Sequence, residues 1–196
     1  MPNIETLRRN LEARGFQTSY YETCQDACDD LVRRLAGREI GFGGSITLRE
    51  LGLFDRLKET STCFWHWEGA THAQAAAAPT YLCSVNGVAE TGEMVNIDGR
   101  GNRVASGLFG HEKVYFIIGV NKIAPDLEGA IWRARNIAGP KNAQRLGGKT
   151  PCAVKGDRCY DCDSPDRICS AMVTYWRRPA SIPEAEVVII NRELGY

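Results

Sequence analysis

Between Lys113 and Gly119 runs Val-Tyr-Phe-Ile-Ile, apolar or aromatic at every position, with no polar alternation. A strand of that kind has no face to give to water, so it belongs in a sheet covered on both sides. The rest of the chain supplies the cover. Ile4, Leu7 and Leu11 have helical spacing and stop at Gly15, and Phe16 to Glu22 reads as a short strand. Thr23, with Asp26 three residues on, opens a helix whose stripe is Ala27, Leu31 and Leu35. Glu39-Ile-Gly-Phe leads into glycines. Ser45 or Thr47 then caps a helix carrying Leu48, Leu51 and Leu57, with Thr47 and Glu50 as a capping-box pair.

Further on, the alanines from Ala73 to Ala78, closed by Pro79, predict a short, tightly packed helix. Tyr81 to Val85 reads as a strand, Asn86-Gly87 as a turn and Glu93 to Asp98 as another strand. A helix is expected over Asn102 to Phe109. A second, opened by Asp126, carries Leu127, Ala130, Ile131, Ala134 and Ile137 and should stop at Gly139-Pro140. Glu186 to Asn191 closes the chain as a strand. The expected class is α/β: an open, mostly parallel sheet with helices on both faces, one domain over residues 1–196, with a cysteine-rich metal loop at 150–170.

Composition narrows the function. The 196 residues suit one domain that can bury roughly 70% of its unfolded surface without disulfides. With 24 Lys+Arg against 24 Asp+Glu there is no basic excess of the kind nucleic-acid binding needs. No apolar run approaches the roughly 20 residues of a membrane span, and the first residues lack a signal core, so the chain reads as cytoplasmic. Zero net charge does nothing to oppose self-association, and a homodimer is the commonest assembly.

Eight cysteines in a reducing compartment are thiols, ligands or core residues. Four fall together as C-x6-C-x2-C-x6-C: Cys152, Cys159, Cys162 and Cys169. The central pair can turn two thiolates toward one centre, and the outer two can fold back to complete a four-sulfur shell. Such a set suits an iron–sulfur (4Fe–4S) cluster or zinc. Structural zinc favours two C-x-x-C knuckles and only one is present, which shades the expectation toward iron–sulfur. A redox pair at Cys159/Cys162, or plain reduced thiols, are the bland alternatives. Cys24, Cys28, Cys63 and Cys83 read as core.

Three segments at strand ends suggest a pocket for a small anion, carboxylate or phosphate. Gly43, Gly44, Ser45 and Thr47 form a glycine–hydroxyl junction. Asn96, Asp98, Gly99, Asn102 and Arg103 surround a second, with Arg100 beside them. Lys122 adds a cation past the buried strand, at the rim where α/β sheets bind ligands. Glu90, Asp98 and Lys122 are weak candidates for acid–base work. Each has a plainer reading as a turn or a solvated charge. His66, His72 and His111 form no hydrolase pattern, and His66, between two tryptophans, reads as packing.

Gly43-Gly-Ser-Ile-Thr-Leu-Arg-Glu-Leu-Gly-Leu, Asn96-Ile-Asp-Gly-Arg-Gly-Asn-Arg-Val-Ala, Val120-Asn-Lys-Ile and Thr150-Pro-Cys with Cys159-x-x-Cys162 and Ser164-Pro-Asp-Arg-Ile-Cys resemble the lactate-utilisation (LUD) domain family in its short, cysteine-bearing form. The resemblance implies an open α/β fold like ribose-5-phosphate isomerase and coenzyme A transferases. It also implies a place in the oxidation of lactate or a related 2-hydroxy acid, beside an iron–sulfur redox partner protein. The stretch Phe64 to Pro79 departs from the family pattern. Two other functions fit the same residues: a metal-stabilised sugar-phosphate isomerase or acyl-transfer-type enzyme, and a non-catalytic subunit that docks a redox partner.

Overall fold

The computed structural model describes residues 2–196. Its main sheet has six strands, all parallel, in the order β1 (Gln17–Tyr21), β10 (Glu184–Ile190), β7 (Lys113–Gly119), β4 (Thr80–Cys83), β2 (Glu39–Phe42) and β3 (Thr62–Trp65). The apolar run is β7, central as expected, and its two faces feed two cores. Val114, Phe116 and Ile118, with Val187 and Ile189 of β10, pack with Leu7 and Leu11 of α1 (Ile4–Ala13). Tyr115 and Ile117, with Val188 and Ile190, pack with Ala27, Leu31 and Leu35 of α2 (Cys24–Leu35). Each fully buried aliphatic side chain here is worth about 1.5–3 kcal/mol, which is why β7 carries no polar position between its ends.

Several local readings need correction. The helix expected after the glycines is two short ones, α3 (Ile46–Glu50) and α4 (Leu53–Leu57), parted at Gly52, which adopts φ 60°. Ser45 is the cap, its hydroxyl accepting from the Leu48 N–H at 3.3 Å. Thr47 and Glu50 form no capping box: the Thr47 hydroxyl donates to the Leu194 carbonyl, and the Glu50 carboxylate accepts from the Gly195 N–H. The alanine helix is α5 (His72–Ala77), closed at its start by a Thr71–Gln74 capping box.

One open sheet was expected, and there are two. A four-stranded mixed sheet runs β8 (Ile123–Ala124), β5 (Gly87–Ala89), β6 (Met94–Asp98), β9 (Ala171–Tyr175). Gly87 begins β5 instead of making a turn, because β5 lies so close to α7 (Leu127–Arg133) that a methyl there would stand 2.5 Å from the Ala130 carbonyl oxygen. Gly139-Pro140 does not stop the helical run either. α7 passes through a π turn at Ala134–Ala138 into α8 (Gly139–Arg145), with the Gly139 N–H donating to the Ala134 carbonyl. Pro140 can offer no N–H, and the widened turn absorbs that loss. α6 (Asn102–Leu108) and α9 (Pro151–Lys155) complete the fold. No helix among the described residues is long and apolar enough to cross a membrane.

Candidate functional site

From β2 the chain moves outward to β3, whereas from β4 it moves inward to β7, so the strand order reverses between β2 and β4. Carboxyl ends of parallel strands at such a reversal leave a crevice. Here it is a cavity of about 930 Å³. Gly44, Ser45 and Thr47 reach it from the end of β2, His66 and Trp67 from β3, Ser84 from β4 and Lys122 from β7. Its size is at the upper end of small-molecule sites, roughly 300–1,000 Å³.

Of the expected ligand residues, Gly44, Ser45, Thr47, Asp98, Gly99, Asn102, Arg103 and Lys122 line this cavity. Gly43 and Asn96 lie behind the wall. A methyl on Gly43 would stand 2.9 Å from the Tyr81 hydroxyl, so that glycine serves packing. Asn96 is fully buried, its amide donating to the Ser84 carbonyl at 3.3 Å. Asp98 is a cap. Its two oxygens accept from the N–H groups of Arg100, Gly101, Arg103 and Val104 at the start of α6, and the Arg103 guanidinium lies 3.7 Å away. Glu90 is outside the lining, its carboxylate accepting from the Asn3 N–H.

Charge in the lining is lopsided although the whole chain is neutral. Arg100, Arg103, Arg135, Arg145, Arg167 and Lys122 face the space, against the carboxylates of Asp98 and Asp161. Arg103 is occupied by Asp98 and by the Ile97 carbonyl, to which it donates at 2.6 Å, and Arg135 pairs with Asp161 at 2.8 Å. Arg100 makes no ion pair among the described residues and is exposed to the cavity. An excess of uncompensated cations in a concave, partly apolar site concentrates anions.

Cys152, Cys159, Cys162 and Cys169 line the same cavity, all half-buried free thiols. Polar groups already point at their sulfurs: the Thr150 hydroxyl is 3.2 Å from Cys152, the Asp161 N–H donates to Cys159 at 3.4 Å, and Arg135 approaches Cys159 at 3.8 Å. The Arg135 guanidinium is held above its ordinary value chiefly by Cys159, and that of Arg167 chiefly by Cys169. Between the central pair, Asp161 takes φ 49°, the one left-handed non-glycine among the described residues. Asp tolerates that conformation better than most side chains. No three Cys, His, Asp or Glu side chains among the described residues converge where one metal ion could sit. Zinc needs its sulfurs about 2.3 Å from a single point, so the expected shell is not drawn up around one ion. A cluster spreads its four thiolates over four irons and asks for no common point. The donor set fits the cluster and not zinc.

A family model described as LUD domain matches residues 4–190. The chain belongs to the LUD domain family. No curated protein matches it. Among solved structures it is similar to a DUF162 family protein from Deinococcus radiodurans, with 11% identity over 95% of each chain and a TM-score of 0.55, a likeness of fold.

In this LUD domain, the segment that departs from the family pattern turns out to form part of the cavity wall. His66 and His72 stack with ring centroids 4.3 Å apart, and the Nδ1 atom of each is buried without a partner. His66 sits against Gly44, where a methyl would stand 3.2 Å from its Cε1. Burial, His72 and Arg100 hold the His66 imidazole below its ordinary value, so it is neutral at pH 7. Only the clustering of Trp65, His66 and Trp67 hinted at this. Trp65 is core, Trp67 is cavity wall, and Trp132 and Trp176 are exposed.

Gly99 sets how closely the cysteine segment lies on β6: a methyl there would stand 2.5 Å from the Ile168 carbonyl oxygen, one residue before Cys169. Gly99→Ala is expected to lose about 1–3 kcal/mol, a few degrees of melting temperature, and to alkylate faster at Cys169. Timed alkylation read by peptide mass checks this, and an unchanged Cys169 rate would count against it.

Proposed function

We propose that this LUD domain is a component of an oxidoreductase system acting on lactate or a related small 2-hydroxy acid, with a 4Fe–4S cluster on Cys152, Cys159, Cys162 and Cys169. One observation carries the reading: the cation-rich, hydroxyl-bearing strand ends and all four thiols border the same cavity. When bound, the cluster supplies one-electron exchange with an iron–sulfur partner protein. The chain does the rest. Arg100, free of a carboxylate, takes the acid's carboxylate, and Ser45 offers a hydroxyl from the glycine junction. The neutral His66 imidazole accepts a proton from a substrate hydroxyl. Arg135 and Arg167 offset the negative charge of the thiolates beside them.

Anaerobic purification with iron, sulfide and zinc analysis tests the reading. A brown protein with iron and sulfide in equal amounts is expected, losing both in Cys159→Ser. A colourless protein holding zinc would remove the redox assignment. A second reading rests on volume, since 930 Å³ is far more than a 2-hydroxy acid fills: the ligand is then a sugar phosphate or an acyl thioester. Calorimetry with lactate, pyruvate and ribose 5-phosphate separates the two.

A further inference from the structure

Lys122 does not behave as the carboxylate-pairing cation that its position suggests. It lines the cavity yet is 4% exposed. Its Nζ lies 2.9 Å from the Thr47 hydroxyl, 2.9 Å from the Ser84 hydroxyl and 3.2 Å from the Val85 carbonyl. No carboxylate pairs with it among the described residues, whereas Lys58 and Lys113 each have one. A buried ammonium without a counter-charge is strongly disfavoured, and the group responds by shedding its proton. The charged and titratable groups around it reinforce this. Burial acts first, then Arg133 from α7 and Arg103 from α6; Glu50 from α3 and the Cys83 thiol of β4 act the other way and are outweighed. The amine sits well below its ordinary value.

A neutral amine has two N–H donors and one lone pair. Val85 can only accept, so it takes one donor; one hydroxyl takes the other. The remaining hydroxyl either donates to the lone pair or turns away toward its second acceptor, Leu194 for Thr47 or Val85 for Ser84. In the second state an unprotonated nitrogen faces a cavity able to hold anions. Desolvation beside other cations is how lysine is made nucleophilic toward carbonyl groups.

We propose that Lys122 is a nucleophile that captures a 2-oxo acid in this cavity as an imine. The proposal rests on the anion-binding reading above and adds a covalent step to it. The nitrogen forms a bond to the keto carbon, and the two amine hydrogens leave with the keto oxygen as water. No electrons are transferred, and no other reactant is needed. A 2-oxo acid is also what oxidation of a 2-hydroxy acid produces, so the same cavity would hold that product.

Pyruvate and sodium borohydride, added to the purified full chain, test the step. Reduction freezes the imine as a stable secondary amine, and peptide mass mapping locates it. The expected result is one adduct per chain, at Lys122, absent with lactate and absent in Lys122→Arg. Its rate should hold nearly constant from pH 9 to 7, whereas an ordinary lysine near 10.4 slows about tenfold per unit. Labelling spread over exposed lysines such as Lys141 and Lys149, or no labelling, overturns the proposal. Wild-type mapping decides this even if the variant fails to fold. Pyruvate binding is measured calorimetrically on the same sample. Binding without an adduct removes the nucleophile alone, and no binding with no adduct removes the 2-hydroxy-acid reading as well.

Discussion

Gly41→Ala is expected to be among the most damaging single-methyl additions in this protein. Gly41 sits in β2 with α5 laid directly across it. A methyl would overlap the Ala75 carbonyl oxygen and stand 2.8 Å from its carbon, with the Tyr81 ring at 3.0 Å. Overpacking usually costs about 1–3 kcal/mol because neighbouring side chains give way. A main-chain carbonyl in a capped helix cannot swing aside, so the cost should reach about 3 kcal/mol or more, against a total stability of roughly 5–15 kcal/mol. Gly37→Ala is the matched control: nothing lies within 4 Å of its added methyl, and only its φ of 74° opposes the change. It should lose about 1 kcal/mol. Urea midpoints of the two variants check this, and equal losses would mean that the contact of α5 with β2 is looser than described.

Glu186→Ala should be comparably severe. The carboxylate enters β10 from the polar edge of the sheet and is 4% exposed. Arg34 of α2 grips both of its oxygens, Ser19 of β1 donates to it at 2.9 Å, and the Lys113 ammonium stands 3.5 Å away. Removing it leaves a partly covered guanidinium without its anion, a loss of about 3–5 kcal/mol in comparable buried pairs. Burial pushes the Glu186 carboxyl up, but the Arg34 hydrogen bonds and charge outweigh it and leave it below its ordinary value of 4.5. The folded state therefore holds this proton less tightly than the unfolded chain. That part of the stability is present above about pH 4.5 and is lost as pH falls through the depressed folded value. The gap between wild type and variant should shrink from pH 7 to pH 3. A constant gap would show that packing, not charge, holds this corner.

The long elements were legible because each buries a stripe. The alternation of β7, and the spacing in α1 and α2, admit one partner arrangement on each face. The alanines of α5 announced a close approach, though not that Gly41 lay beneath them. The second sheet was hidden because β8 and β5 have two and three residues, too few to show a period. The strand ends at Ser45, Thr47 and Lys122 were readable as a rim, since glycines and polar residues follow apolar runs there. What Asp98 does with its carboxylate was not, because a cap and a catalytic acid have the same composition. His66 and His72 were missed for a related reason: six residues apart across a 3₁₀ turn and a helix start, they follow no repeat, and only the folded chain stacks them.

The π turn between α7 and α8 adds a residue to what would otherwise be one cylinder, and each helical residue turns direction by about 100°. Ala130 and Ala134 can therefore lie flat on the small sheet, while Arg135 and Asn136, next along, reach outward to Asp161 and to the Cys159 N–H. A straight rod would have had to choose between clasping the scaffold and holding the thiol strap. The inserted residue lets a single stretch of chain do both, and it ties the spacing of the sulfur-bearing segment to the frame of the domain instead of to the segment's own turns.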